Sequence, residues 1–211
     1  TDHFQVVLTN QGLDYSIYNL SLTGEVPEHY QSLLEQPKSS ILPDQTKSIR
    51  DLLSSSKIEM YTVKMRLANA HIRKSNIDVV DVPRDLNVFR DDSQFEHVKE
   101  SDQIIVRNVY PGVDWSLSFS KEKGFKHEYL VANVSHLNQI VQHYTGDGDL
   151  VVSIAENQLI LSTPLGNISE GKLKVYQNEN LLESSLSINN KTKKSFELNY
   201  HVEPQNSFDP I

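Results

Sequence analysis

The chain has 211 residues, 37% of them hydrophobic and 23% charged, with a formal net charge of −8 and no cysteine. This is the composition of a folded chain large enough to bury a sizeable core without disulfides or metals, and not of a disordered one. The acidic balance argues against duplex nucleic acid as a partner, and the missing cysteine excludes disulfides, Cys-ligated zinc, iron–sulfur clusters and thiol nucleophiles.

The densest basic region is Lys172, Lys174, Lys191, Lys193 and Lys194. These lysines alternate with apolar residues or sit in a polar loop, which is the pattern of solvated strand faces. No run approaches the roughly 18 apolar residues of a membrane span. Thr1-Asp2-His3-Phe4 lacks the charged-then-apolar pattern of a signal peptide, so an exported protein would have lost its signal or be represented by a piece.

Phe4, Val6 and Leu8 fall on one face, Gln11-Gly12 signals a turn, and Leu13, Tyr15 and Ile17 resume a period of two. This predicts a hairpin. Residues 23–57 differ, with Pro27, Pro37, Pro43 and many Ser, Gln and Lys. Tyr30, Leu33 and Leu34 have helical spacing, and Asp44 is placed to cap a helix carrying Ile49, Leu52 and Leu53. The stretch reads as a helical insertion, either a binding loop or a solvated excursion.

Tyr61, Val63, Met65 and Leu67 alternate with Thr62, Lys64, Arg66 and Ala68, as in a half-buried antiparallel strand. Residues 76–100 are mixed and acidic, with Phe89 and Phe95 as expected anchors. Ile104, Val106, Val109 and Tyr110 then lead to Pro111-Gly112, which suits a type II turn with Asp114 accepting backbone N–H bonds around it. Trp115, Leu117 and Phe119 alternate, Lys121-Glu122-Lys123-Gly124 turns, and Phe125, His127, Tyr129 and Val131 alternate again, giving a second hairpin. Further turns at Gly146-Asp147-Gly148-Asp149, Asn157, Glu179-Asn180 and Asn189-Asn190 separate short strands to Tyr200. Such spacing predicts a β-sandwich or barrel.

Residues 104–177 resemble a known family. Val109-Tyr110-Pro111-Gly112-Val113-Asp114 is similar to a Tyr-Pro-Gly-Ile-Asp signature, and Lys126-His127-Glu128-Tyr129-Leu130-Val131 to the strand that follows it. Ile140-x-x-x-Tyr144-x-Gly146 and the stretch from Leu159 through Gly166 and Glu170 to Val175-Tyr176-Gln177 continue the match. The family is the β-rich domain found upstream of β-propeller-type (SBBP) repeats in large surface proteins of Bacteroidetes-like bacteria. Gly171-Lys172-Leu173 departs from it where a proline is expected, and the first 100 residues match loosely. The resemblance implies a secreted or cell-surface multidomain protein exported across a bacterial outer membrane.

No Gly-x-Ser-x-Gly elbow, His-Glu-x-x-His helix or phosphate-cradling loop occurs. His127 and Glu128 are strand neighbours and point to opposite faces. His136 and His143, seven apart, would align on a helix but supply too few ligands for zinc. Asp147-Gly148-Asp149 invites calcium, but Gln158 stands where an EF-hand needs glutamate, which leaves a hairpin turn as the simpler reading. Asn19, Asn133, Asn167 and Asn190 fall in Asn-x-Ser/Thr and matter only in a eukaryotic secretory setting.

The expected fold is mostly β: an antiparallel β-sandwich, or partly open barrel, over residues 1–203. A small helical insertion is expected near residues 28–56, and residues 204–211 read as a linker toward a following domain. The expected function is a non-catalytic structural or adaptor module of a secreted or cell-surface protein, with no catalytic residues, metal or cofactor and with binding residues undetermined. Expected partners are other domains of the same chain and possible cell-surface proteins or glycans, with no nucleic acid and no transmembrane segment. The alternatives are an adhesion module binding glycan or protein through sandwich-end loops, and a hydrolase with a concealed carboxylate pair.

Overall fold

The computed structural model describes residues 4–22, 56–90, 93–120 and 124–203. The strands in chain order are β1 (Phe4–Thr9), β2 (Gly12–Leu22), β3 (Ser56–Leu67), β4 (Ile77–Arg90), β5 (Ser93–Tyr110), β6 (Val113–Ser120), β7 (Gly124–Val131) and β8 (Gln142–Gly146). They continue with β9 (Val151–Ala155), β10 (Gln158–Thr163), β11 (Gly166–Ser169), β12 (Val175–Gln177), β13 (Asn180–Leu182), β14 (Ser184–Asn189) and β15 (Ser195–Val202). One sheet has six strands in the order β1-β2-β3-β8-β15-β14, and a second has four in the order β4-β5-β6-β7. A three-stranded sheet, β11-β10-β9, and the β12-β13 hairpin complete the molecule among the described residues. The fold is an antiparallel β-sandwich, and among the described residues no sheet closes into a barrel.

Side chains alternate across a strand, so the period of two sorts residues into core and solvent. Leu13 and Tyr15 of β2, Val63 and Met65 of β3, Val106 of β5, Trp115 and Leu117 of β6, and Tyr144 of β8 are all buried in one core with Leu159 and Leu161 of β10. Rings meet between the two large sheets: Tyr15 of β2 lies edge-on to Phe125 of β7 at 6.3 Å, and Tyr129 of β7 to Tyr200 of β15 at 6.2 Å.

Local chemistry fixes the turns. Gly112 has φ 74° between the paired residues Tyr110 and Val113, as the Pro-Gly sequence requires. Just before it, Asn108 has φ 47° in an irregular stretch of the β5–β6 ladder. Asp114 Oδ1 accepts from the Asn108 N–H at 2.7 Å, and Arg107 bridges Asp114 and Asp78 at 2.9 and 2.8 Å. Glu156-Asn157 and Asn178-Glu179 take positive φ at both positions and close the β9–β10 and β12–β13 hairpins.

Three sequence expectations change. Residues 76–100 are not simply a mixed acidic stretch: β4 and β5 pair there as a long antiparallel ribbon. The Pro83 N cannot donate to a ladder, and pairing lapses between Asp81 and Asp85 around it. Ser56 and Lys57, assigned to the insertion, belong to β3, where they pair with Leu22 and Ser21. The turn at residues 146–149 does not close a hairpin, because β8 pairs with β3 and β15 while β9 pairs with β10. The helical insertion with Ile49, Leu52 and Leu53, the turn Lys121–Lys123 and the linker at 204–211 lie outside the described residues, as do the side chains of Phe89 and Phe95.

Candidate functional site

Pairs of residues two apart on one strand face share a direction. Thus β7 presents His127 and Tyr129 to the interior, and β8 presents Gln142 and Tyr144. Tyr15 arrives from β2, Trp115 from β6 and Tyr200 from β15. Glu170 comes from neither large sheet. It follows β11 directly and is held by its own N–H, which donates to the Leu159 carbonyl at 3.0 Å.

The carboxylate of Glu170 is the centre of this cluster. Tyr144 Oη donates to Glu170 Oε1 at 2.8 Å and Tyr15 Oη to the same oxygen at 3.4 Å. His127 Nε2 stands 3.6 Å from Glu170 Oε2, and Trp115 Nε1 donates to His127 Nδ1 at 3.4 Å. With Nδ1 accepting from the indole, Nε2 is the imidazole nitrogen that faces the carboxylate. Trp115 also stacks on Tyr129 with centroids 6.0 Å apart.

Gln142, 0% exposed, extends the network. Its amide lies 3.0 Å from Tyr144 Oη and 2.9 Å from Tyr129 Oη. A hydroxyl has one proton, and the Tyr144 proton goes to the nearer, charged acceptor, Glu170. The amide Nε2 donates to Tyr129 Oη, and its Oε1 stands against the Tyr144 hydroxyl as a second acceptor.

Burial pushes the Glu170 carboxyl up, but the hydrogen bond and charge of His127 and the Tyr144 and Tyr15 hydroxyls outweigh it, leaving the group below its ordinary value. For Tyr15 and Tyr144, burial first and the Glu170 charge second raise the phenol well above 10. Burial does the same for Tyr129 and Tyr200. The result is an ionised carboxylate ringed by hydroxyl and imidazole donors, with side-chain exposure of 17% at Glu170 and 12% at His127.

Other candidate groups disperse. His127 and Glu128 diverge as strand neighbours: the first turns inward and the second is exposed. His136 lies in a 3-10 turn, Val134–Gln139, against Gly112, whereas His143 on β8 pairs with Glu197 at 3.2 Å. Asp147 accepts from the Thr62 N–H at 3.2 Å and faces Lys64 at 3.6 Å. Among the described residues no His, Cys, Asp and Glu group assembles a metal site. Lys172, Lys174, Lys191, Lys193 and Lys194 are all exposed, as are Asn19, Asn133, Asn167 and Asn190.

Ser187 Oγ meets His201 Nε2 at 2.7 Å across β14 and β15, beside a shallow recess of about 260 Å³ lined by Val134, Ser135, Leu137, Asn138, Tyr200, His201 and Val202. A nucleophile–base pair needs a third group to orient the base. Among the described residues none holds the other nitrogen of His201, so this contact reads as a surface hydrogen bond.

Sequence reasoning missed Glu170, Gln142 and Tyr144 as one site. The available signal was a polar Gln142 on an inward face between Ile140 and Tyr144, both buried.

Fold and cluster together define a β-sandwich domain with a largely buried polar centre. The chain belongs to the family described as Domain of unknown function (DUF7948), whose model matches residues 1–209. Neither the comparison with curated proteins nor that with solved structures gives a match.

Proposed function

We propose that this domain is a non-catalytic structural module of a larger, exported bacterial surface protein. The observation that carries the reading is the Glu170 cluster. Its hydrogen-bonding groups engage one another, joining β2, β7, β8 and the segment after β11. Satisfied buried networks of this kind rigidify a core and specify its arrangement. The Tyr110-to-Asp114 signature supports the same role, since Gly112 and Asp114 shape a turn and a bulge. The resemblance to domains upstream of SBBP-type repeats supports the surface location. Among the described residues no helix is long and apolar enough to cross a membrane.

The test is antibody labelling of intact source cells against residues 1–203, with and without external protease. Labelling of intact cells that protease removes is the expected result. Labelling only after permeabilisation would overturn the surface assignment.

A second reading, a glycan- or protein-binding adhesion module, is favoured by the β12–β13 hairpin. Tyr176 and Leu181 are cross-strand partners there and are 59% and 61% exposed. Paired exposed apolar side chains favour recognition over folding. Under this reading a Tyr176→Ser, Leu181→Ser variant keeps its melting temperature and loses capture on a glycan array or host-surface pull-down. Equal capture by variant and parent removes it.

A further inference from the structure

We infer that the space around Glu170 is a carboxylate-binding cradle that the chain fills with its own side chain, making residues 170–174 a strap seated by an internal ligand. This goes beyond a merely structural role, because it assigns the cradle a ligand class and makes its occupant exchangeable.

The cradle is built without Glu170. Tyr15 comes from β2, His127 and Tyr129 from β7, Gln142 and Tyr144 from β8, Tyr200 from β15 and Trp115 from β6. Two hydroxyls and an imidazole N–H converge on one carboxylate, and Gln142 and Trp115 orient two of these donors from behind. Tyr15, His127, Tyr129, Tyr144 and Tyr200 are the titratable groups facing the position, and none is a carboxylate. Tyr144 and Trp115 are 0% exposed and Tyr15 is 2% exposed, so packing within the two sheets holds these donors in place.

The occupant is held more lightly than its receptor. Residues 170–174 form no strand, and Gly171, Lys172 and Lys174 are exposed. Within the strap, the Glu170 N–H donates to Leu159 O at 3.0 Å and the Leu173 N–H to Asn157 O at 2.9 Å. The Glu170 side chain is itself 17% exposed. A receptor held by two sheets and a ligand carried on an irregular segment are separable parts. The ligand class is a carboxylate, whether a small free anion or an acidic side chain.

The experiment compares wild type, Glu170→Ala and Glu170→Gln by melting temperature and by hydrogen exchange at the Glu170-segment amides. Removing one partner of a buried charged network predicts a Tm lower by roughly 10 °C in Glu170→Ala. Sodium acetate at ten or more times its Kd should return roughly 4 °C relative to equal sodium chloride or acetamide. It should also re-protect the Leu173 amide, and neither effect should occur in wild type or in Glu170→Ala, Tyr144→Phe. A blocked Gly-Glu-Gly peptide is run beside acetate. Rescue by acetate alone supports a cradle for small anions, and rescue by both supports one that an acidic side chain can also enter. A folded Glu170→Ala with wild-type Tm, or one that acetate helps no more than chloride, overturns the inference. If Glu170→Ala does not fold, Glu170→Gln decides: its Leu173 amide should exchange faster than in wild type, and equal exchange overturns the inference. Surface labelling is unaffected by either result, so the two readings fail separately.

Discussion

Tyr144 and Tyr15 direct hydroxyls at the same oxygen of Glu170, but at 2.8 and 3.4 Å. Only the first is a strong charge-assisted bond, worth about 1.5–3 kcal/mol. Tyr144→Phe is therefore expected to cost about 2 kcal/mol in urea unfolding, and Tyr15→Phe less than about 1 kcal/mol. Equal losses would contradict the ranking. Two glycines give a second contrast. A Cβ on Gly12, at φ 148°, would lie 2.1 Å from the Met65 carbonyl oxygen, which belongs to the β3 backbone and cannot swing away. Gly124, at φ 72°, has nothing within 4 Å of the added atom. Gly12→Ala should cost more than about 3 kcal/mol and Gly124→Ala about 1 kcal/mol, the latter being backbone strain alone. Chemical denaturation of both variants checks this.

At the level of elements, the irregularity before the Pro111-Gly112 turn depends on one carboxylate. The Asn108 N–H bond is the first cause and the Arg107 guanidinium the second that hold the Asp114 carboxyl below its ordinary value. Asp114→Asn keeps an acceptor for Asn108 and loses the ion pair, whereas Asp114→Ala loses both. The alanine variant should lose about 1 kcal/mol and the asparagine variant a smaller amount, read from urea midpoints. The strands on either side were legible in the sequence because one face of each is buried: Trp115, Leu117, Tyr129 and Val131 fall at the period of two that the core demands. The β4–β5 ribbon was not. Asp81, Pro83 and Asp85 interrupt both the alternation and the ladder, so a strand with broken pairing left no periodic trace. The Glu170 strap was illegible for a different reason. Its partners lie far along the chain, with Tyr15 separated by 155 positions, and local pattern carries no information about such contacts.

Across the whole molecule these buried groups set how stability varies with pH. Glu170 and Asp114 have folded values below the ordinary carboxylate range. As pH falls below about 4.3 the unfolded chain binds more protons at these two groups than the folded chain, so the stability they supply is present above that pH and lost on acidification. The tyrosines act in the opposite sense. Tyr15, Tyr129, Tyr144 and Tyr200 are raised well above 10, and burial pushes Tyr110 up to about 12. Their protonated forms favour the fold fully below pH 10, and that stability declines as pH rises through the folded values. Melting temperatures from pH 3 to 11 should form a plateau between about 5 and 9, with losses on both sides. Glu170→Gln lowers the plateau and shallows the acid limb while keeping most of the alkaline limb, because burial, the larger cause, still raises the tyrosines once the Glu170 charge is gone. An acid limb of unchanged slope in that variant would mean that Glu170 is not the group whose protonation loosens the sandwich.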